Sequence, residues 1–534
     1  MFRKPTPAKP LLALLAFLAL ALSWSLGTPL LSAADEPEQS IKAAAVVRGE
    51  FSGAEHVWNF SGWQSTYTTP DYLEIRYHLP HSLAVALAEH DPACYAFTTQ
   101  STPTCTVHAN KHKVAKAGDS ALSHMNYSPL YYVLVGWPSL LFHGSAALYA
   151  MRVVSALMTA LLLAAAFTTS ARRGRTAAVG VVAAVTPAAV YFGSVVNPSG
   201  LEITSALLAW ASLISMTQVE PGDRARGSDR VMFTIAAATL VLVRPLGPVW
   251  LAAIVAAVLT MSPEPRERIR QALRVRDIRW TAGLIGAALL ATAAWDVTQN
   301  TMGIIKHVNP TYTMAKGVYL TLNQTPQFLA QMVGLIGWND VHEPTATTYL
   351  WYGAVIGLVL AAIVIGGRRE RLVLLALAAL VLLFPLAFEA YSGAAYGVGW
   401  QGRYTLPLAI GLPLLAAEVL GRRMRRADLG SIPRSLAATL GSALALAYLC
   451  EVWWAWRRYA QGLGPLSHYL PFSAKWVPVI GWPMTLLLAL GGTLGLLALI
   501  TARSFFEGRG EDAPRIPAQA PAGSPGADPL VSRL

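Results

Sequence analysis

Six short polar clusters interrupt an otherwise apolar chain, and their residue types point to two kinds of chemistry. The first cluster is Asp35-Glu36-Pro37-Glu38. A carboxylate at the edge of an apolar medium is a candidate general base for a hydroxyl, with Asp35 as the base and Glu36 as its orienting partner or alternate. The same residues also read as an N-cap and acidic first turn of a short amphipathic helix over 39–50, carrying Lys42 and Arg48. The second chemistry is anion binding. Arg403 lies in Gln401-Gly402-Arg403-Tyr404, shortly after Glu389 and Tyr391, and Arg244 opens Arg244-Pro245-Leu246-Gly247-Pro248. A guanidinium fork matches phosphate oxygens, although a lone Arg near a helix end more often snorkels to lipid headgroups.

Three further clusters supply polar groups without declaring a reaction. In His124-Met125-Asn126-Tyr127-Ser128-Pro129-Leu130-Tyr131-Tyr132, the aromatics suit a membrane interface. Asn197-Pro198-Ser199-Gly200-Leu201-Glu202 is a turn whose Glu202 falls in an apolar run, where a carboxylate is costly unless paired. Gly337-Trp338-Asn339-Asp340 completes the set. Paired carboxylates suit a divalent metal, but no ligand set demands one. Three cysteines are too few for a zinc site. Cys94 and Cys105 share one segment and bridge if it faces an oxidising compartment; Cys450 reads as a buried small hydrophobe.

The elements that must position these residues are helices in lipid. Of 534 residues, 54% are hydrophobic and only 13% charged, about half the charge of a soluble domain, and mean hydropathy is +0.44. Apolar runs near 11–31, 147–170, 176–195, 199–217, 231–243, 247–262, 281–298, 349–366, 372–390, 405–420, 435–455 and 483–502 predict an all-α polytopic membrane protein with about twelve spans. The formal charge of +12 sits in short clusters between spans, a pattern of orientation rather than of nucleic-acid binding. With the N-terminus inside, 27 of the 41 Lys and Arg fall in short inner segments, including six arginines from Arg266 to Arg279. No span inverts the bias. Residues 1–10 are then a cytoplasmic N-terminus and 11–502 the membrane domain. Within it, 32–146 is a long outer loop whose stretch 129–142 lies on the outer leaflet. The Pro-, Ala- and Gly-rich tail 503–534 is expected to be disordered and cytoplasmic. Arg3, Lys4, the run 11–22 and Ser32-Ala33-Ala34 also fit a signal peptide cleaved before Asp35, leaving eleven spans; apolar residues continuing to Leu31 favour a retained helix. No internal repeat is present.

Taken in order, these pieces resemble the bacterial membrane proteins grouped as domain-of-unknown-function family 2142. The resemblance rests on Asp35-Glu36-Pro37, Ser128-Pro129-Leu130-Tyr131-Tyr132, Arg152, Asn197-Pro198-Ser199-Gly200-Leu201-Glu202, Arg244-Pro245-Leu246-Gly247-Pro248, Gly337-Trp338-Asn339-Asp340 and Gln401-Gly402-Arg403-Tyr404. It covers about residues 10–500, with 56–116 carrying none of the motifs. That family looks like part of the GT-C superfamily of membrane glycosyltransferases, which place an acidic residue in the first outer loop, the position of Asp35 and Glu36 here.

The expectation that follows is transfer of a sugar from a polyprenyl-phosphate donor to an envelope glycan or protein acceptor, at the outer face of a bacterial plasma membrane. Asp35 is the base, with Glu36 beside it. Arg403, then Arg244, holds the donor phosphate. Tyr131, Tyr132, Asn197, Glu202, Trp338, Asp340, Gln401 and Tyr404 line the cleft. A lipid or glycan transporter would instead place broken helices and ionisable residues at mid-membrane, often in repeated halves. An assembly scaffold would need the loop but neither Asp35 nor Arg403. The sugar, the acceptor and the stereochemical outcome are not encoded in any motif.

Overall fold

The apolar runs fold as helices. In the computed structural model the described residues are 8–58, 72–123, 125–217, 227–262, 264–299, 301, 312–341, 344–396, 399–463 and 474–502. His124, most of the N-terminal arm and the tail 503–534 lie outside them. Eight described helices are long and apolar enough to cross a membrane, and nine with one bent pair, whereas the first helix and Gly247–Met261 are apolar but shorter. The protein is therefore a mostly helical membrane protein. Pro198–Thr217 is buried on nearly every side and packs against Gly144–Ala171 and Gly227–Val243, so the Asn197–Glu202 turn opens the most central helix.

Two predicted spans are broken. The run at 176–195 becomes Arg175–Ala184 and Pro187–Ser194, bent by 65°. Pro187 has no N–H to continue the first helix, and the Thr186 hydroxyl caps the second by accepting from the Ala189 N–H at 3.2 Å. The first helix ends at Ser25 rather than near residue 31. Residues 26–35 leave it as an irregular turn. A helix that hydropathy does not show, Met314–Val333, carries Pro326 and several amides and packs along Arg368–Tyr396.

The segment 32–146 corrects the all-α expectation. It holds a three-stranded antiparallel sheet in which Ala54–Trp58 pairs with Tyr72–His78, and Tyr72–His78 pairs with Ser120–Ser123. The helix Glu36–Val46 is not amphipathic and exposed, because nine of its eleven residues are buried between the sheet and helix Pro129–Gly136. Lys42 is fully buried, and its ammonium donates to the Tyr77 hydroxyl at 2.7 Å and to the Phe51 carbonyl. Burial pushes that ammonium down to about 8, partly opposed by Glu50. Pro129–Gly136 points Tyr131 and Tyr132 inward and leaves Val133 and Leu134 exposed, and the turn that follows it exposes Trp137 and Leu141; an interfacial segment needs such an apolar face. Cys94 and Cys105 form a disulfide, with Cα atoms 6.1 Å apart.

Candidate functional site

The site is assembled around a buried arginine. Arg152, in helix Gly144–Ala171, is fully buried, which is tolerable only if the charge is paired and every donor used. Its Nε donates to Glu36 Oε1 at 2.6 Å and its Nη2 to Glu36 Oε2 at 2.5 Å. Nη1 reaches the carbonyls of Ser25 (3.2 Å) and Thr28 (3.0 Å), and Nη2 that of Pro29 (2.7 Å). The turn after the first helix is thus wrapped around one guanidinium. Glu36 also accepts from the Val196 N–H at 3.3 Å, which ties this turn to the Asn197–Glu202 turn.

Asp35 is held by its surroundings in an unusual state. It has φ 63°, and its carboxylate makes no capping bond to its own helix. The cap expected from sequence is therefore corrected: the side chain turns away, a quarter exposed, and pairs with Arg403. Left-handed backbone at a non-glycine residue persists only where neighbours over-determine it. Here the neighbours are Arg152 on Glu36, the Asn197 amide donating to the Ala34 carbonyl at 3.0 Å, and the Ala34 N–H donating to the Gly337 carbonyl at 3.0 Å.

Arg403 arrives on the short helix Gly402–Ala409. Gly402 is required for close approach, since a Cβ there would lie 2.2 Å from the Phe328 carbonyl. Its N–H donates to Gln331 Oε1 at 2.6 Å, while Glu389 Oε1 accepts from the N–H groups of Gly399 (3.1 Å) and Trp400 (2.6 Å). So fixed, Arg403 is buried. Its Nη2 donates to Asp35 and to the Tyr404 hydroxyl at 3.2 Å, and its guanidinium stacks over Phe192 (5.0 Å) and Tyr404 (5.1 Å).

Arg244 approaches the same Tyr404 ring at 4.5 Å and Tyr127 at 5.2 Å. Its Nη1 donates to the Ser199 hydroxyl at 2.8 Å and to Glu202 at 3.4 Å. Glu202, expected to need a partner, has this one and also accepts from Trp250 Nε1 at 3.1 Å. Gly200 lets the turn reach this point, as a Cβ would meet the Gly193 Cα at 2.4 Å. Two guanidinium groups thus share one tyrosine ring. The Nε atoms of both, and Gln401 Oε1, are buried without a hydrogen-bond partner, a costly arrangement that a bound anion would relieve at the two arginines.

Asp35, Arg403, Arg244, Tyr404, Glu202 and Asn197 therefore come together, with Gln401 at the edge and Trp338 at the rim, where its Nε1 donates to the Leu31 carbonyl at 3.3 Å. Four expected site residues sit elsewhere in role. Both oxygens of Glu36 are engaged by Arg152, so it supports the turn rather than acting as alternate base. Tyr131 and Tyr132 are fully buried, with the Tyr132 hydroxyl donating to Gln39 Oε1 at 2.6 Å, and cannot line an open cleft. Asp340 pairs with buried Arg458 at 2.8 Å. Sequence reasoning missed Tyr127, Trp250 and Arg458 as partners, and valued Arg152 only as a motif residue. Glu202 inside its apolar run was the signal that a cation lay nearby. Among the described residues no three His, Cys, Asp or Glu side chains converge as a metal site would require.

The family model DUF2142, described as a predicted membrane protein, matches residues 17–412. The chain belongs to that family. The DUF2142 region contains the whole Asp35–Arg403–Arg244 cluster and ends before Arg458. Two solved structures of ArnT from Cupriavidus metallidurans are similar. The apo form has 12% identity and a TM-score of 0.41, covering 93% of this chain and 76% of that one. The form bound to undecaprenyl phosphate has 13% identity and a TM-score of 0.42, covering 94% and 78%. Among curated proteins none matches.

Proposed function

We propose that this DUF2142 protein is a GT-C-type membrane glycosyltransferase, moving a sugar from a polyprenyl-phosphate donor to an envelope acceptor at the outer face of a bacterial plasma membrane. The observation that carries the reading is the pairing of Asp35 with Arg403, beside a second arginine, with an unpartnered Nε on each guanidinium. The outer face is supported by the basic residues, which crowd the opposite ends of the spans. No nucleotide sugar is available on that side, so the donor is a lipid phosphate.

In this mechanism the donor phosphate takes the Arg403 fork through Nε and Nη2, displacing the Asp35 carboxylate. Asp35 is then free to accept the proton of an acceptor hydroxyl. The acceptor oxygen bonds to the anomeric carbon as the bond from that carbon to the phosphate oxygen breaks. The electron pair leaves with the lipid phosphate, whose charge Arg403 and Arg244 hold. Tyr404 keeps the two guanidinium groups side by side. No metal is required for this balance.

The test is transfer by the purified protein in nanodiscs, given a panel of radiolabelled polyprenyl-phosphate sugars and envelope acceptor fractions. The wild type should consume at least one donor. Arg403→Ala should lose about 10²-fold or more in transfer, as other losses of a preorganised charge partner do, and Arg403→Lys should recover only part, because a point charge cannot reproduce a bidentate fork. Donor lipid moving between leaflets with no sugar transferred would replace the reading with a flippase.

A further inference from the structure

The segment that carries none of the family motifs presents an exposed ring beside the Asp35 turn. Phe97 lies inside the Cys94–Cys105 loop, is 70% exposed, and has left-handed backbone at φ 62°. A bulky residue is disfavoured at positive φ, and a phenyl ring in water forgoes its burial. Core packing explains neither feature.

The loop around this ring is nonetheless rigidly held. The disulfide closes its base. Arg458 donates to the carbonyls of Tyr95 (2.8 Å), Thr98 (3.2 Å) and Ser101 (2.6 Å), and the Leu463 N–H donates to the Thr99 carbonyl at 2.8 Å. The Phe97 ring meets half-buried Trp338 edge to face, with centroids 6.0 Å apart and planes at 65°. Trp338 is pinned in turn: its indole donates to Leu31, and the preceding residue, Gly337, accepts from Ala34, the neighbour of Asp35.

In an edge-to-face pair the two planes stand steeply to each other, so one flat ligand can stack on only one of the rings. The 70% exposed Phe97 ring is the one open to water, and a rigid, exposed ring suits the flat apolar C–H face of a pyranose, whose hydroxyls stay in water around its rim. We infer that Phe97, braced edge to face by Trp338, is an aromatic platform that stacks a pyranose ring of the acceptor beside Asp35. The word acceptor rests on the transferase reading above; the stacking does not. Acceptor rather than donor is favoured because the ring pair is tied, through Gly337 and Ala34, to the turn that carries Asp35, the residue that takes the acceptor's proton.

The experiment is saturation-transfer NMR on the full chain in nanodiscs, without donor, using methyl pyranosides of glucose, galactose, mannose and N-acetylglucosamine. The wild type should pass saturation to the ring C–H protons of at least one sugar. Phe97→Leu, apolar but without a ring face, should bind at least tenfold more weakly, and Phe97→Tyr should stay within threefold. Matching unfolding midpoints will show that both variants are folded. No contact with any of the four sugars, or undiminished binding by Phe97→Leu, would overturn the platform. Sugar binding through Phe97 with no transfer from any donor would sink the transferase and leave the platform standing. Unchanged transfer rates and acceptor KM in Phe97→Leu would do the reverse.

Discussion

At the scale of single residues, type was legible and partnership was not. Arg403 and Asp35 stand 368 residues apart, and each stood out alone, as a cation or an acid at the end of an apolar run. Adjacent carboxylates look alike in sequence, yet Asp35 has left-handed backbone just before the helix that Glu36 opens, so the two side chains leave the chain in different directions. Glu36 is consequently turned into the protein toward Arg152, while Asp35 faces Arg403. Tyr131 and Tyr132 misled for the same reason, because an interfacial aromatic and a buried one have identical letters. Lys42 offers a prediction at this scale. Its ammonium is pushed from the ordinary 10.5 down to about 8 by burial, so the folded chain holds that proton less firmly than the unfolded one. Stability should therefore rise with pH between about 8 and about 10.5 and be insensitive to this group below that window. Thermal unfolding midpoints across pH 7–10.5 should show a rise in the wild type that is absent in Lys42→Met. Parallel profiles would show that Lys42 is not held as described.

At the scale of elements, hydropathy located the helices because lipid admits few alternatives for a polar backbone. What it missed follows from weaker signals. Met314–Val333 has its apolar residues interrupted by amides, and the three strands are four to seven residues long, too short to stand out. The bend at Thr186–Pro187 was visible as a proline, though its 65° angle was not. The turn that presents Asp35 depends on a clasp between elements, Arg152 on Glu36, with side chains 0% and 1% exposed. Glu36→Gln would leave a buried guanidinium without its counter-charge, at a cost of about 3–5 kcal/mol. Asp35→Asn also takes a carboxylate from a buried guanidinium, Arg403, but at a position a quarter exposed and with a hydrogen-bond acceptor kept, and should cost less, about 1–3 kcal/mol. Side-by-side unfolding midpoints in nanodiscs should place Glu36→Gln well below Asp35→Asn. Equal midpoints would mean that the clasp does not hold the turn.

At the scale of the whole molecule, the orientation expected from basic residues places the segment 32–146 outside and both termini inside. In a Cys450→Ser background, a cysteine at exposed Ala115 should react with a membrane-impermeant maleimide in intact cells. Reaction only after permeabilisation would invert the orientation and remove the site from the outer face. The most direct test of the account is single-turnover transfer by the purified full chain, with donor at saturation, comparing wild type with Asp35→Asn. Loss of a general base at this position should slow the chemical step by roughly 10²–10⁴-fold, with donor affinity changed little or raised, because Arg403 no longer has a carboxylate to release. Transfer at the wild-type rate by Asp35→Asn would contradict the assignment of Asp35 as the base.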